Sequence, residues 1–295
     1  MEIVNLKKII EGKPIIENIN LTLDKGQIIG LIGRNSVGKT TFFRTVVGHY
    51  IKDEGEILIN GETLDENVSL KQKIFYIDEQ YNFFSTYTLE KIGEFYNFAY
   101  PTFEMSRFLK LLEENNLQPK LKYRAMSKGM QGLFKMVLSI AVNVEYLFLD
   151  EPFDGLDVIV KKRVIRLLLS ELAESDKMVM ISSHNLLQLE NLIDRVIILK
   201  DTTIAQDYLL DDFKSHVRKL QLVLKGKKIP EFLKKNSKAL SVQGRVITVV
   251  IEQYTDELET QIKALDPVVF EELPLTLEDM FEVNLTKEAD FQLYI

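Results

Sequence analysis

Up to about residue 200, short runs of Ile, Val and Leu alternate with stretches whose apolar positions recur at helical spacing. The runs at 3–6, 19–23, 27–32, 146–149, 178–182 and 195–199 predict strands. Four of them are nearly all apolar, the pattern of strands covered on both faces. Such strands alternating with helices predict an α/β fold with a largely parallel core in a mixed sheet. From Gln80 to Lys135 the pattern turns helical, punctuated by Pro101 and Pro119, and ten Phe and Tyr fall between residues 81 and 108. Two roles are open for these rings: filling the core of a helical subdomain over about 81–134, or lining a groove for a partner. Past residue 205 the runs at 217–224 and 245–251 predict strands and 255–265 an amphipathic helix. The chain is therefore expected to divide into a domain over 1–205 and a small α+β appendage over 206–295, with basic residues clustered at 225–238 and acids near Glu271 and Glu278.

Composition narrows the class. A chain of 295 residues with 46% hydrophobic and 27% charged side chains can build one large core or two moderate ones, which excludes disordered and collagen-like architectures. Zero cysteines remove disulfides and thiolate metal sites and suit a reducing compartment. With 44 acidic against 37 basic residues, the net charge of −7 argues against nucleic acid as a partner. The first eight residues lack the apolar core of a secretory signal. No apolar run approaches the roughly 18 residues of a membrane span. A membrane role is thus expected to work through a partner.

The chemistry begins at Gly33-Arg34-Asn35-Ser36-Val37-Gly38-Lys39-Thr40, which follows an apolar strand and opens a helical pattern at Thr41-Phe42-Phe43. This is the G-x-x-x-x-G-K-[ST] phosphate loop in its strand–loop–helix context. Its glycines let backbone N–H groups approach phosphate oxygens, and the following helix turns the positive end of its dipole toward them. Lys39 is expected to neutralise the β and γ phosphates and Thr40 to ligate Mg²⁺. A second element, Tyr146-Leu147-Phe148-Leu149-Asp150-Glu151, ends a strand on two acids. Ligands gather at the carboxyl ends of strands in open α/β sheets, so both carboxylates are expected beside the loop. Asp150 is then a candidate for holding Mg²⁺ through water. Glu151 is a candidate for polarising the attacking water.

Met126-Ser127-Lys128-Gly129-Met130-Gln131, upstream of Asp150, resembles the signature loop of ATP-binding cassette ATPases, in the Ser-Lys-Gly-Met form of many bacterial exporters. Pro152-Phe153-Asp154-Gly155-Leu156-Asp157 resembles that family's D-loop, and His184 in Ile181-Ser182-Ser183-His184-Asn185 its switch histidine. The resemblance covers most of residues 1–205 and implies a P-loop NTPase domain with a helical signature subdomain. The segment Pro274-Leu275-Thr276-Leu277-Glu278-Asp279-Met280-Phe281 resembles the branch serving bacterial drug, antibiotic and peptide exporters. His49 and His216 match no motif.

The family pattern puts Ile10 where an aromatic ring usually stacks on adenine, and aliphatic contact is less directional than stacking. Only modest discrimination of ATP from GTP is expected; a strong preference in competition binding would contradict this. The Q-loop residue stays open between Glu79, at the aligned position, and Gln80, one residue later; either can sense Mg²⁺ and the attacking water. Lys128 and Met130 replace the usual Gly and Gln, so Lys128 either faces the γ-phosphate or extends into solvent.

The resemblance implies hydrolysis of ATP with Mg²⁺. The nucleotide is sandwiched between residues 33–40 of one chain and Ser127, Lys128, Gly129 and Met130 of a second, with Asp157 at the interface. One copy of each motif cannot close a site alone, so a homodimer or a heterodimer with a homologous ATPase is implied. So is an integral membrane permease that would hold the chain at the cytoplasmic face of the cell membrane. Two alternatives remain: a soluble cassette ATPase without a permease, and a non-catalytic regulatory module that binds ATP without turnover.

Overall fold

The computed structural model describes residues 1–78, 84–173, 175–185, 189–226 and 229–279. The chain divides into two compact units, Met1–Asp207 and Tyr208–Ile295.

The first unit opens with a hairpin of β1 (Glu2–Ile10) and β2 (Lys13–Thr22). Glu11 at φ 50° and Gly12 at φ 74° form the two-residue turn whose positive φ values match the twist of the paired strands. Then follow β3 (Ile28–Ile32), α1 (Lys39–Val46), β4 (Glu54–Ile59), β5 (Glu62–Thr63) and β6 (Ile74–Ile77). The helices α2 (Leu89–Ala99), α3 (Met105–Glu114) and α4 (Lys128–Val142) lead to β7 (Tyr146–Asp150), α5 (Val158–Leu172), β8 (Met178–Ser183), β9 (Arg195–Lys200) and β10 (Thr203–Leu209). A four-stranded sheet has the order β2-β1-β4-β5, antiparallel throughout. A six-stranded sheet has the order β10-β9-β3-β8-β7-β6, and the pairs among β9, β3, β8, β7 and β6 are all parallel.

That register positions the site. Ile32 pairs with Ser183, Asp150 with Ser182 and Ile77 with Leu149, so β3, β6, β7 and β8 end together on one edge. Nearly every residue of β3, β7 and β8 is buried, which is why these strands read as continuous apolar runs. β4 and β6 escaped that reading. β4 interleaves Gly and Glu with its apolar residues, and β6 is four residues, too short for periodicity to separate strand from helix. Beneath the edge α1 buries Phe42 and Phe43, and the Phe43 ring meets Phe148 edge-on at 5.4 Å and Tyr76 at 6.1 Å.

Half of the eight aromatic rings from Phe84 to Phe108 serve a helical core: Phe84, Tyr96, Phe103 and Phe108 are buried. Gly93 has no room for a side chain, because a Cβ there would stand 2.4 Å from the Phe108 ring. Phe98, by contrast, is 92% exposed on α2. Tyr81 and Phe83 lie outside the described residues. α4 runs beyond residue 134 to Val142 and stops at Asn143, whose φ of 54° is the left-handed turn that ends helices.

The second unit contains α6 (Leu210–His216), β11 (Arg218–Val223), α7 (Glu231–Asn236), β12 (Ala239–Gln243), β13 (Val246–Ile251), α8 (Asp256–Lys263) and β14 (Val269–Leu273). After α6 this is a β-α-β-β-α-β chain with sheet order β12-β13-β11-β14, antiparallel at every pair, which is the split, ferredoxin-like arrangement. Alternate residues Leu220, Leu222, Ile247, Val249 and Ile251 pack with Leu233 of α7 and with Leu258 and Ile262 of α8. Of the exporter-like segment, Thr276 and Asp279 form a reciprocal cap: Thr276 N and Oγ1 donate to Asp279 Oδ2 at 2.8 and 2.6 Å, and Asp279 N to Thr276 Oγ1 at 3.2 Å. Met280 and Phe281 lie outside the described residues.

Candidate nucleotide site

The loop after β3 is shaped by its two glycines. A Cβ on Gly33 would stand 2.7 Å from Val37 Cγ1 and 2.8 Å from the Leu199 carbonyl. Gly38 adopts φ +112° with Ile15 against it at 3.0 Å, so a side chain is excluded by both strain and space. Arg34, Asn35 and Ser36 face solvent, Val37 packs toward the core, and Thr41 is half-buried with its carbonyl accepting from Thr45 Oγ1 at 2.7 Å. The loop curls around the buried Lys39 head, whose Nζ donates to the Gly33 carbonyl at 2.9 Å. The exposed Thr40 leaves α1 toward β7, and its Oγ1 donates to Asp150 Oδ2 at 2.7 Å.

Asp150 is only 3% exposed, yet its carboxylate is well supplied with donors. Besides Thr40, Tyr76 OH donates to Oδ2 at 3.1 Å, and Ser182 Oγ donates to Oδ1. The next residue turns sharply: Glu151 has φ 45°, rare for a side chain of its kind, and its N–H donates to Ser182 Oγ at 3.0 Å. That turn carries the Glu151 carboxylate over the loop. Its Oε1 lies 3.5 Å from Lys39 Nζ, while its Oε2 lies 2.9 Å from His184 Nδ1 and accepts from the His184 N–H at 3.3 Å. Lys39, Thr40, Asp150, Glu151 and His184 are thus one constellation drawn from three adjacent strand ends. Of the other histidines, His49 packs edge-on against Tyr76 at 5.4 Å and His216 is exposed at the end of α6.

The signature residues lie at the start of α4. Ser127 is its N-cap, accepting from Met130 N–H at 3.2 Å, and remains exposed. Gly129 approaches Val160 so closely that a Cβ would meet it at 3.3 Å, and Lys128 lies along Gly155. Asp157 caps α5, accepting from the Ile159 and Val160 N–H groups at 2.9 Å each. Among the described residues no hydrogen bond or ion pair joins Ser127, Lys128, Gly129, Met130 or Asp157 to Lys39 or Thr40 of the same chain. A cleft does run along the inner side of α4, lined by Lys128, Gln131 and Lys135 on one wall and by Asp150 and Glu151 on the other. Glu79 and Gln80 lie outside the described residues.

A divalent cation fits the floor of this site. The Thr40 hydroxyl and the Asp150 carboxylate place two oxygens side by side, and hard cations take oxygen ligands. No cluster of three or more His, Asp or Glu able to hold a metal occurs among the described residues. A cation here therefore depends on phosphate oxygens and water for its remaining ligands, which is how Mg²⁺ is held with nucleotides. Sequence reading assigned no role to Tyr76 or Ser182, which grip Asp150, or to Arg44, which pairs with Asp78 at the end of β6.

The family profile described as ABC transporter matches residues 16–154. The chain is 31% identical over 281 residues to the ABC transporter ATP-binding protein YtrB of Bacillus subtilis, covering 95% of this chain and 96% of that one. Among solved structures it resembles an ATP-binding subunit of an ABC transporter at 25% identity and a TM-score of 0.67, over 72% of this chain and 91% of that one. The cassette MJ0796, solved as a post-hydrolysis dimer bound to ADP and Pi, shares the fold at 22% identity and a TM-score of 0.63, over 71% of this chain and 98% of that one.

Proposed function

The chain belongs to the ATP-binding proteins of ABC transporters, and we propose that it works as an ATP-hydrolysing, Mg²⁺-dependent subunit that dimerises around nucleotide and drives a membrane permease. The observation that carries this reading is the meeting of Lys39, Glu151 and His184 over the phosphate loop, with Thr40 and Asp150 on its floor. Lys39 leaves the Gly33 carbonyl for the terminal phosphates, whose charge it offsets. Thr40 and Asp150 would hold Mg²⁺, which supplies charge neutralisation at the β and γ oxygens. Glu151, fixed between Lys39 and His184, accepts the proton of the attacking water.

The exposed Ser127 cap and the start of α4 form a second cradle of N–H groups, and among the described residues no hydrogen bond or ion pair ties it to Lys39 or Thr40 of the same chain. This supports closure of the site by a second chain, either another copy or a homologous ATPase, with Asp157 and its neighbours at the junction. Hydrolysis turns one anion into two and removes the contact that joined the chains, the differential interaction a switch requires. Among the described residues no helix is long and apolar enough to cross a membrane, so attachment to the cytoplasmic face of the cell membrane would come through the permease. The bare Phe98 on α2 favours the helical subdomain as the surface that meets it. Export of a drug, antibiotic or peptide is the direction favoured by the Ser127-Lys128-Gly129-Met130 form of the signature and the segment from Pro274.

A phosphate-release assay tests the reading. Release from ATP is expected with Mg²⁺ and absent in EDTA. A protein that binds ATP but releases no phosphate would instead be a regulatory module. Full activity in the soluble fraction, with no membrane protein co-purifying from detergent extracts, would favour a permease-free ATPase.

A further inference from the structure

The groups around Asp150 divide unequally between its two oxygens. Among the described residues, Ser182 alone donates to Oδ1, whereas Thr40 and Tyr76 both donate to Oδ2. A cation at the floor of the site would take a lone pair of Thr40 Oγ1 and leave the threonine proton on Oδ2, since a hydroxyl has two lone pairs and one proton. Among the described residues, Tyr76 is then the donor on Oδ2 that takes no part in binding the cation.

Tyr76 is itself oriented. The Arg44 guanidinium, which hydrogen-bonds the Asp78 carboxylate and, at 2.9 Å, the Tyr50 hydroxyl, sets a positive charge near the phenol oxygen. Arginine has donors and no acceptor, so beside that charge the phenol aims its single proton elsewhere. The Asp150 carboxylate, 3.1 Å away, receives it. The arginine is anchored in turn, because Asp78 closes β6 and its carbonyl accepts from Lys135 Nζ of α4 at 2.9 Å.

We propose that Tyr76 is a positioning residue for cation binding: its phenol, by its hydrogen bond to Oδ2, holds the Asp150 carboxylate in the rotamer that serves the cation. The inference rests on the proposed Mg²⁺-dependent function. It extends that function to a residue at the end of a different strand.

The test uses the full chain with ADP and Mn²⁺ as the probe, following free Mn²⁺ by its electron paramagnetic resonance signal. Tyr76→Phe keeps the ring that packs on Phe43 and His49 and removes only the hydroxyl. Outer partners of metal-binding groups typically matter by about 10- to 100-fold in metal affinity, so Mn²⁺ binding to the ADP complex should weaken about tenfold. ADP affinity in EDTA should not change. Tyr100→Phe is the control, since Tyr100 OH donates to the Ile74 carbonyl at 3.1 Å in the same strand without touching Asp150; it should match wild type. A Tyr76→Phe protein that binds Mn²⁺ within about twofold of wild type overturns the inference, as does an equal loss in Tyr100→Phe or an equal loss of ADP binding in EDTA. A wild type without any ADP-dependent Mn²⁺ binding overturns the proposed function itself, and this inference with it.

Discussion

Glu151→Gln lowers ATP turnover by about 10³-fold, within the 10²–10⁴ range typical of a removed general base, while nucleotide binding persists and ATP-bound dimers accumulate. The size follows from the position of the carboxylate. Glu151 is turned over the phosphate loop by a backbone conformation, φ 45°, that costs an ordinary residue of order 1 kcal/mol. Its oxygens are then shared between Lys39 Nζ at 3.5 Å and His184 Nδ1 at 2.9 Å. Glutamine has the same length and can keep a hydrogen bond to the histidine amide. It cannot take a proton from water at neutral pH. Removing the negative charge beside Lys39 also removes repulsion toward the γ-phosphate, so ATP should be held at least as tightly. Phosphate release and light scattering with ATP measure the two halves separately. Unchanged hydrolysis would remove Glu151 from its role.

Lys39→Ala acts on the other half of the cycle, weakening ATP binding by about 10- to 100-fold, as expected for a lost hydrogen bond to a charged group. The Lys39 head is 8% exposed and sits in the ring of the loop, with the Gly33 carbonyl as its hydrogen-bond partner and Glu151 as its counter-charge. Phosphate can replace the carbonyl as that partner without moving the backbone, so the binding geometry is formed in advance. Alanine leaves the anion facing the loop N–H groups alone. Titration calorimetry with ATP reads the affinity directly. A variant that binds ATP as wild type does would show that the loop amides suffice.

The central constellation was legible because each of its members follows or ends a strand whose apolar run is continuous. Parallel pairing in register carried residues 32, 150 and 183 to one edge, so spacing along the chain became adjacency in space. Tyr76 stood in plain view within Phe75-Tyr76-Ile77-Asp78 and still carried no signal, because its partner is 74 positions away and a buried tyrosine looks like any core ring. Asp157 was legible as part of a motif, yet in this chain its carboxylate serves as a helix cap. In the second unit β11 and β13 announced themselves by apolar alternation. β14, with Glu271 and Glu272 in five residues, and β12, with Ser241 and Gln243, did not. Their pairing is supplied by neighbours rather than by their own composition, so the ferredoxin-like order emerged only from the fold.

The claim on which the rest depends is that each catalytic site is shared between two chains, with the phosphate loop from one and the Ser127 cradle from the other. Mixing two inactive proteins tests it most directly. Lys39→Ala spoils one half of a site and Ser127→Arg the other, and each alone should be inactive. In an equimolar mixture half of the dimers pair unlike chains by random assortment, and each such dimer holds one site with both halves intact. The account predicts that hydrolysis returns on mixing, up to about a quarter of the wild-type rate if paired sites act independently. A mixture no more active than the sum of its parents would contradict it.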